Sequence, residues 1–474
     1  MNSSEVLEIF KEITRIPRES GHEELMRAYL VEFARERNLE CKTDEVGNVC
    51  IVKEASEGKE DVPVIVLQGH QDMVCDKRPG VIHDFSKDPI NYVIEDGWMI
   101  AKDTTLGADD GIGVAAMLAL LDSDLPMGKI ECVFTTSEET GMDGAFGMKP
   151  GFFTGRTLLN LDSEDEGQLF IGCAGGVDTE AVFTYKPEVY KTGYDTVRLK
   201  IENGLGGHSG DDINKGRMNT VQQMARFLAA ELEHDFQLII FFGGNKPNAI
   251  ARHCEAVIAV PDVAATVERF KAFGKEVSKE YAGTDPDVTF SAGGCQCTEK
   301  PIQSDVAGNL IYSLANCPHG VEAMSKDIPG LVETSTNLAS VSMHIPGEIK
   351  VVTSQRSSIP AERQKMQYKV AGAFEPNGAE VRHYGEYPGW TPNVDSPILK
   401  LFVDTYKKLF NEDPKVLAIH AGLECGLFGE KFGDLDMISF GPTLRGVHAP
   451  GEKMELASLD KFTDLLVEVV TNFK

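Results

Sequence analysis

The chain has 474 residues and contains no Cys-x-x-Cys pair, no G-x-G-x-x-G turn, no internal repeat, no low-complexity tract and no transmembrane run. Its ten cysteines are scattered, many in apolar runs where free thiols bury. Cys295 and Cys297 form the one close pair, a weak signal for a redox or metal site. This usage points to a reduced, cytoplasmic protein. The nearest approach to a dinucleotide turn, Gly107 to Gly113, places acidic residues where a pyrophosphate would sit, which argues against a nucleotide-binding oxidoreductase. Basic residues are also short: 46 Lys and Arg face 74 Asp and Glu, for a net charge of −28. Long-range repulsion therefore disfavours nucleic acid and anionic membranes as partners. The same acidity keeps a protein soluble and concentrates cations. The N-terminal segment reads as an amphipathic helix with acidic residues rather than as a targeting segment.

What is present is an ordinary soluble composition, 42% hydrophobic and 25% charged, on a chain long enough for two domains or one with a large insertion. The organising stretch is Val64 to Asp76. Apolar residues run from Val64 to Leu67 without alternation, as in a strand buried on both faces, and His70 and Asp72 follow at its C-terminal end. In open α/β sheets that edge binds ligands, and a His with a carboxylate two residues on suits a metal ligand and its orienting partner. Taken alone, this stretch favours a structural loop histidine over a ligand.

Other acidic strand ends recur along the chain. Asp109 and Asp110 stand at a glycine-rich turn before an apolar helix, Ile112 to Leu121, where they also complement a helix dipole. A strand from Ile130 to Phe134 runs into Glu138-Glu139, and another from Thr157 to Leu161 ends at Asp162. Adjacent carboxylates there repel unless a cation or a shared proton neutralises them. Helices over Ser3 to Thr14, capped by Ser3 or Ser4, and His22 to Arg37, with a hairpin over Glu40 to Lys53, complete this first part.

After Gly175 the pattern changes. Strand Thr196 to Ile201, helix Gly216 to His234, strands Phe236 to Phe242 and Cys254 to Pro261, helix Asp262 to Ala282 and strand Asp287 to Ser291 spell a ferredoxin-like βαββαβ module. Residues Ser304 to Gly378 enlarge it with a helix, an extended stretch from Ala339 to Arg356 and another helix. A turn at Tyr387 to Trp390 reads as the return boundary, followed by helix Ser396 to Phe410, strand Met437 to Phe440, a loop carrying His448 and a closing helix from Ser458. The expected organisation is an α/β catalytic domain over 1–175 and 386–474, a mixed sheet flanked by helices, with an α+β lid inserted over 176–385.

His70, Asp109, Glu138, Glu139, Asp162 and His448 together offer nitrogen and carboxylate donors that suit zinc, manganese or cobalt. They suffice for two ions about 3.5–4 Å apart with one carboxylate left for general-base work. The motifs GHQDMV, TTLGADDGIG, SEETGMDGA, LDSEDEG, GGHSG, LVETSTNLAS, HAGLECGLF and RGVHAPGEKM resemble those of the dinuclear zinc exopeptidase family that includes carboxypeptidase G2, aminoacylase and the carnosinases. The resemblance spans essentially the whole chain. It implies two zinc ions per subunit bridged by Asp109, with His70 and Asp162 completing one site and Glu139 and His448 the other. It further implies that Asp72 orients His70, that Glu138 is the general base, and that His208 reaches the substrate from the lid. Asp110 stands where the family often has Asn and is a neighbour rather than a ligand. Arg356 and Asn248 are candidates for the substrate carboxylate, with Ser335 and Asn337 on an adjacent loop; a salt-bridge role suits Arg356 equally. The expected function is hydrolysis of unblocked dipeptides, Xaa-His and β-alanyl-histidine among them, by a homodimer joined through the lid. A tripeptidase, an N-acyl amino acid deacylase, or a metal-binding regulatory protein without catalysis are the alternatives.

Overall fold

The computed structural model describes residues 1–326 and 328–474. The chain forms two compact units: Met1–Gly172, Trp390–Ala418 and Leu423–Lys474 make the first, and Cys173–Gly389 with Ile419–Gly422 the second. The junctions therefore fall at 172/173 and 389/390 rather than at 175/176 and 385/386. Ile419–Gly422 joins the second unit because the Ala174 N–H donates to the carbonyls of Ile419 and Ala421, at 3.0 and 3.1 Å.

The first unit is built on an eight-stranded sheet. Its spatial order is Glu40–Thr43, Val49–Lys53, Ile130–Thr135, Ile65–His70, Thr157–Asn160, Asp436–Ser439, Gln168–Cys173 and Lys415–Ile419. The four strands from Ile130–Thr135 to Asp436–Ser439 run parallel, so their C-terminal ends share one edge. Strands Ile65–His70 and Ile130–Thr135 are buried at every position, which explains their unbroken apolar pattern. The chain crosses from Ile65–His70 to a neighbour on one side and then to Thr157–Asn160 on the other. Such a reversal opens the crevice where open α/β sheets bind ligands. Helix Ala108–Asp122 is buried on nearly every face and packs on strand Ile65–His70 and on helix Ser3–Ile13. The cap of that first helix is Asn2 rather than Ser3 or Ser4: its side chain accepts the Glu5 N–H at 3.1 Å while Glu5 accepts the Asn2 N–H at 2.7 Å, a reciprocal box.

The second unit carries the ferredoxin-like module. Its strands lie in the order Thr289–Gly294, Asp195–Glu202, Cys254–Val260, Gln237–Gly243, all antiparallel, and helices Thr220–Glu231 and Val263–Glu280 complete it. The sheet continues through Val332–Ser342, Glu348–Ser357, Gly175–Thr184 and Glu380–Tyr387. The stretch from Ala339 to Arg356 is thus not one extended segment but parts of two antiparallel strands, because Pro346-Gly347, with Gly347 at φ +85°, turns the chain back. Strand Gly175–Thr184 was not expected at all. Its glycines read as loop, yet they allow a close approach: a Cβ on Gly176 would lie 2.4 Å from the Tyr387 ring. Its ladders to Glu348–Ser357 and Glu380–Tyr387 make it a central strand. No helix among the described residues is long and apolar enough to cross a membrane.

Candidate metal centre

His70 closes its buried strand with 1% of its side chain exposed. Its backbone N–H donates to Asp110 Oδ2 at 3.2 Å. That approach requires Gly69, since a Cβ there would sit 2.1 Å from the same oxygen. The ring of His70 is surrounded by carboxylates: Asp72 Oδ1 lies 3.2 Å from Nδ1, while Asp109 Oδ1 and Asp162 Oδ1 lie 3.0 and 3.5 Å from Nε2. Asp72 also accepts the Ser20 hydroxyl at 2.8 Å and the backbone N–H groups of Glu138 and Glu139 at 3.1 and 3.3 Å. One fully buried carboxylate therefore fixes a histidine ring and the turn that carries two glutamates.

The other oxygen of Asp109 faces a second histidine. Asp109 Oδ2 is 3.0 Å from His448 Nε2, which lies 2.9 Å from Glu139 Oε2. His448 is half exposed and sits at φ +59° in the loop between the strands Leu444–Arg445 and Lys453–Glu455. Three donor groups result, each with its ligand atoms within 4.8 Å of one another: His70, Asp109 and Asp162; Asp109, Glu139 and His448; and His70, Glu138 and Glu139. Glu139 Oε1 is buried without a hydrogen-bond partner among the described residues.

Burial and mutual repulsion dominate the electrostatics of the cluster. Burial raises the Glu138 carboxyl to about 8, with Glu424, Glu139 and Asp109 adding to the effect and His70 opposing it. Burial, with Asp109 and Glu138 close by, likewise drives Asp162 well above the usual carboxylate range. Asp110, buried beside Asp162 and Asp109, moves the same way. Burial opposes protonation of His70, but Asp162, Asp109 and Asp72 outweigh it and hold the proton well above the ordinary imidazole range. His448 is raised to about 11 by its bonds to Asp109 and Glu139. Two imidazoles with carboxylates, one of them presenting an oxygen to each imidazole, are a donor set that fits divalent cations.

A pH dependence follows for chelator-treated protein. Glu138 at about 8 and Glu424 at about 7 hold protons that the unfolded chain has released, and His70 and His448 do the same above the unfolded imidazole value. A raised folded value stabilises below the unfolded one and is lost as pH rises through the folded one. The buried His319 and His420, lowered to about 4 and about 3, pull the other way only below the unfolded imidazole value, and Asp72, lowered to about 2, acts lower still. Between about pH 6.5 and 8.5 the metal-free melting temperature should therefore fall, and zinc should flatten the fall. Thermal denaturation at constant ionic strength checks this, and equal slopes with and without metal would contradict it.

Residues not anticipated from the sequence support the ligands from below. Glu424 is fully buried; its Oε2 accepts from Gln68 Nε2 at 2.6 Å and from the Thr135 hydroxyl at 2.7 Å. Gln68 Oε1 in turn accepts from Asn160 Nδ2 at 2.7 Å. The network ties three adjacent strands two or three residues before His70, Glu138 and Asp162. Its sequence signal was slight: polar residues late in otherwise apolar strands.

In the second unit His208 Nδ1 lies 3.2 Å from Asp211 Oδ2, and the His208 N–H donates to Asp212 at 2.8 Å. Arg356 and Ser335 are cross-strand partners. Arg356 donates through Nη1 to the Tyr387 hydroxyl at 3.0 Å, and among the described residues it forms no ion pair with a carboxylate and its buried Nε has no hydrogen-bond partner. Ser335 pairs with His420 Nε2 at 2.7 Å, a histidine inside the HAGLECGLF motif that had been given no role. Asn337 donates to the carbonyls of Pro247 and Ala249, both at 2.9 Å, so its amide holds the loop that carries Asn248.

The chain matches the profile of peptidase family M20/M25/M40 over residues 66–472. It is 37% identical over 469 residues to the cytosol non-specific dipeptidase of Escherichia coli (strain K12), covering 98% of this chain and 96% of that one. The crystal structure of aminoacylhistidine dipeptidase from Vibrio alginolyticus superposes with a TM-score of 0.92 at 37% identity, over 99% of this chain and 97% of that one. A tripeptidase from Staphylococcus aureus subsp. aureus mu50 shares the fold at a TM-score of 0.58 and 16% identity, over 99% and 98% of the two chains.

Proposed function

The chain belongs to peptidase family M20/M25/M40, and on that footing we propose that it is a cytoplasmic two-zinc dipeptidase that cleaves unblocked dipeptides, Xaa-His and β-alanyl-histidine among them. The observation that carries this reading is the pair of donor groups sharing Asp109, one completed by His70 and Asp162 and the other by Glu139 and His448. Manganese or cobalt would suit the same donors.

Two divalent cations bound there supply Lewis acidity toward a carbonyl and make water acidic enough to lose a proton near neutral pH. The protein's part is to place groups and move protons. Glu138 takes the proton from the attacking water and later gives it to the departing amine, so one carboxyl serves as base and then as acid. Its high affinity for a proton suits the second task. Asp72 holds the His70 ring and, through the N–H groups of Glu138 and Glu139, the base and a ligand in one geometry. In the second unit His208 would donate to the carbonyl oxygen as it gains negative charge, and Arg356, with Asn248, would hold the carboxylate of the dipeptide. Ser335 and Asn337 act behind them, through His420 and through the Asn248 loop. We assign the second unit the lid and a homodimer contact.

The test is hydrolysis of β-Ala-His, Gly-His, Ala-Ala, a tripeptide and an N-acetyl amino acid by chelator-stripped protein, before and after zinc or manganese is restored. Metal-dependent cleavage of the His dipeptides is expected. Cleavage confined to the tripeptide or the N-acetyl compound would move the activity to those substrates, and no cleavage with metal bound would leave a metal-binding protein without catalysis.

A further inference from the structure

We propose that Glu452 is a positioning residue that locks Asp109 and His448 together and thereby sets the affinity of the metal they share. The inference rests on the metal centre proposed above. Glu452 is buried, 2% exposed, and among the described residues its side chain makes no hydrogen bond or ion pair to a ligand side chain. Its carboxylate instead receives four consecutive backbone N–H groups: Leu106 and Gly107 donate to Oε2 at 2.6 and 2.9 Å, Ala108 and Asp109 to Oε1 at 2.8 and 3.4 Å. These donors lie in the turn that leads into helix Ala108–Asp122, where Asp109 and Asp110 depart from helical backbone angles and no side chain of the segment itself caps it. An anion there is favoured by the successive N–H groups that converge on it.

The opposite side of the same segment is held by a cation. Arg18, also 2% exposed, donates to the carbonyls of Gly107 and of Asp72, the latter at 2.5 Å. Gly107 is at φ +69°, and a Cβ on it would lie 2.5 Å from Arg18 Nη2, so only glycine fits between the two. The backbone that carries Asp109 is thus fixed through its N–H groups by Glu452 and through a carbonyl by Arg18.

Glu452 also belongs to the loop of His448. Its N–H donates to Ala449 at 3.1 Å, its carbonyl accepts from Ala101 at 3.0 Å, and Gly451 donates to the carbonyls of Ala101 and Thr104. One loop therefore delivers His448 Nε2 to Asp109 Oδ2 and, four residues later, grips the backbone of that same aspartate. A helix cap needs one or two acceptors from any nearby residue. An acceptor for four N–H groups, placed on the loop of the partner ligand, couples the two ligands.

Glu452→Gln keeps the shape but presents an amide NH2 where one oxygen took two N–H groups. We expect the zinc affinity of at least one of the two ions to fall about 10–100-fold, as for other groups that orient metal ligands. Glu452→Asp, which keeps the charge one methylene short, should recover part of it. Affinity is read by competition with a chromophoric chelator, and melting temperature is taken with zinc and with chelator. A metal-induced rise in melting temperature that shrinks in Glu452→Gln supports the coupling. A variant that loses equal stability in both states and binds zinc as the parent does would reduce Glu452 to a helix cap. If Glu452→Gln does not fold, Glu452→Asp carries the same comparison, with a partial loss of affinity expected and an unchanged affinity overturning the proposal. A parent protein that binds no divalent cation would remove the metal centre itself, and this inference with it.

Discussion

Replacing Glu138 by Gln is expected to lower kcat by about 10²–10⁴-fold while leaving metal content unchanged. The amide is isosteric, so the change removes proton transfer and little else. The backbone of Glu138 is held by Asp72 Oδ1 through its N–H, independently of its own side chain, and the short helix Glu138–Gly141 should keep its place. The carboxyl it loses is one that burial and neighbouring carboxylates raise to about 8. Bound cations would draw that value down toward neutrality, where a group both accepts and returns a proton. The measurement also decides between two roles. Glu138 offers an oxygen within the same 4.8 Å group as His70 and Glu139, which is the geometry of a ligand as well as of a base. If Glu138→Gln loses one equivalent of zinc by elemental analysis, it is a ligand; if both equivalents remain and turnover is gone, it is the base. Turnover at the parent's rate would remove it from the chemistry.

Much of this centre was legible because its residues sit where strands stop. A run such as Val64 to Leu67 announces a buried strand, and the first charged residues behind it must lie at the sheet's edge. The parallel register then does what the sequence cannot display: it sets His70 opposite Thr135 and Gln68 opposite Asn160, so that loops starting from different strands converge. His448 is the instructive case. It lies in the loop after the strand Leu444–Arg445, hundreds of residues from Asp109, and although both count among the candidate donors, their place in one ligand group came from the family likeness.

The residues that were missed are those acting through backbone or through other side chains. Glu452 has no partner with a recognisable spacing, because its partners are four main-chain N–H groups. Arg18 is likewise spent on carbonyls, and a lone arginine after a helix reads as solvated. Glu424 lay inside a motif that had been noted, yet its burial on Gln68 and Thr135 depends on a strand pairing no local pattern encodes. In the second unit the same limit applied to strand Gly175–Thr184, where glycines that signal a turn instead admit the Tyr387 ring. Local pattern located groups that do chemistry; tertiary pairing chose the groups that hold them.

Asp109 is where these two kinds of residue meet, and its removal should have the most complete effect. In Asp109→Ala the two donor groups that share this carboxylate each lose a member, since Oδ1 faces His70 and Oδ2 faces His448, each at 3.0 Å. Each ion would keep two protein ligands from its own group, fewer than the three that catalytic zinc sites hold. Metal content after gel filtration should fall from two equivalents to none, and dipeptide hydrolysis should become undetectable at any substrate concentration. His448→Ala provides the control, because it opens only the group that also holds Glu139 and should release one equivalent. The backbone of Asp109 is bound by Glu452 regardless of its side chain, so the variant should fold as the parent does in chelator, by circular dichroism and melting temperature. Two equivalents retained in Asp109→Ala would show that the ions do not share this carboxylate, and one equivalent retained would show that it serves a single ion. Complete loss against the single loss in His448→Ala is the signature of a bridge, because no residue acting in one group alone can empty both.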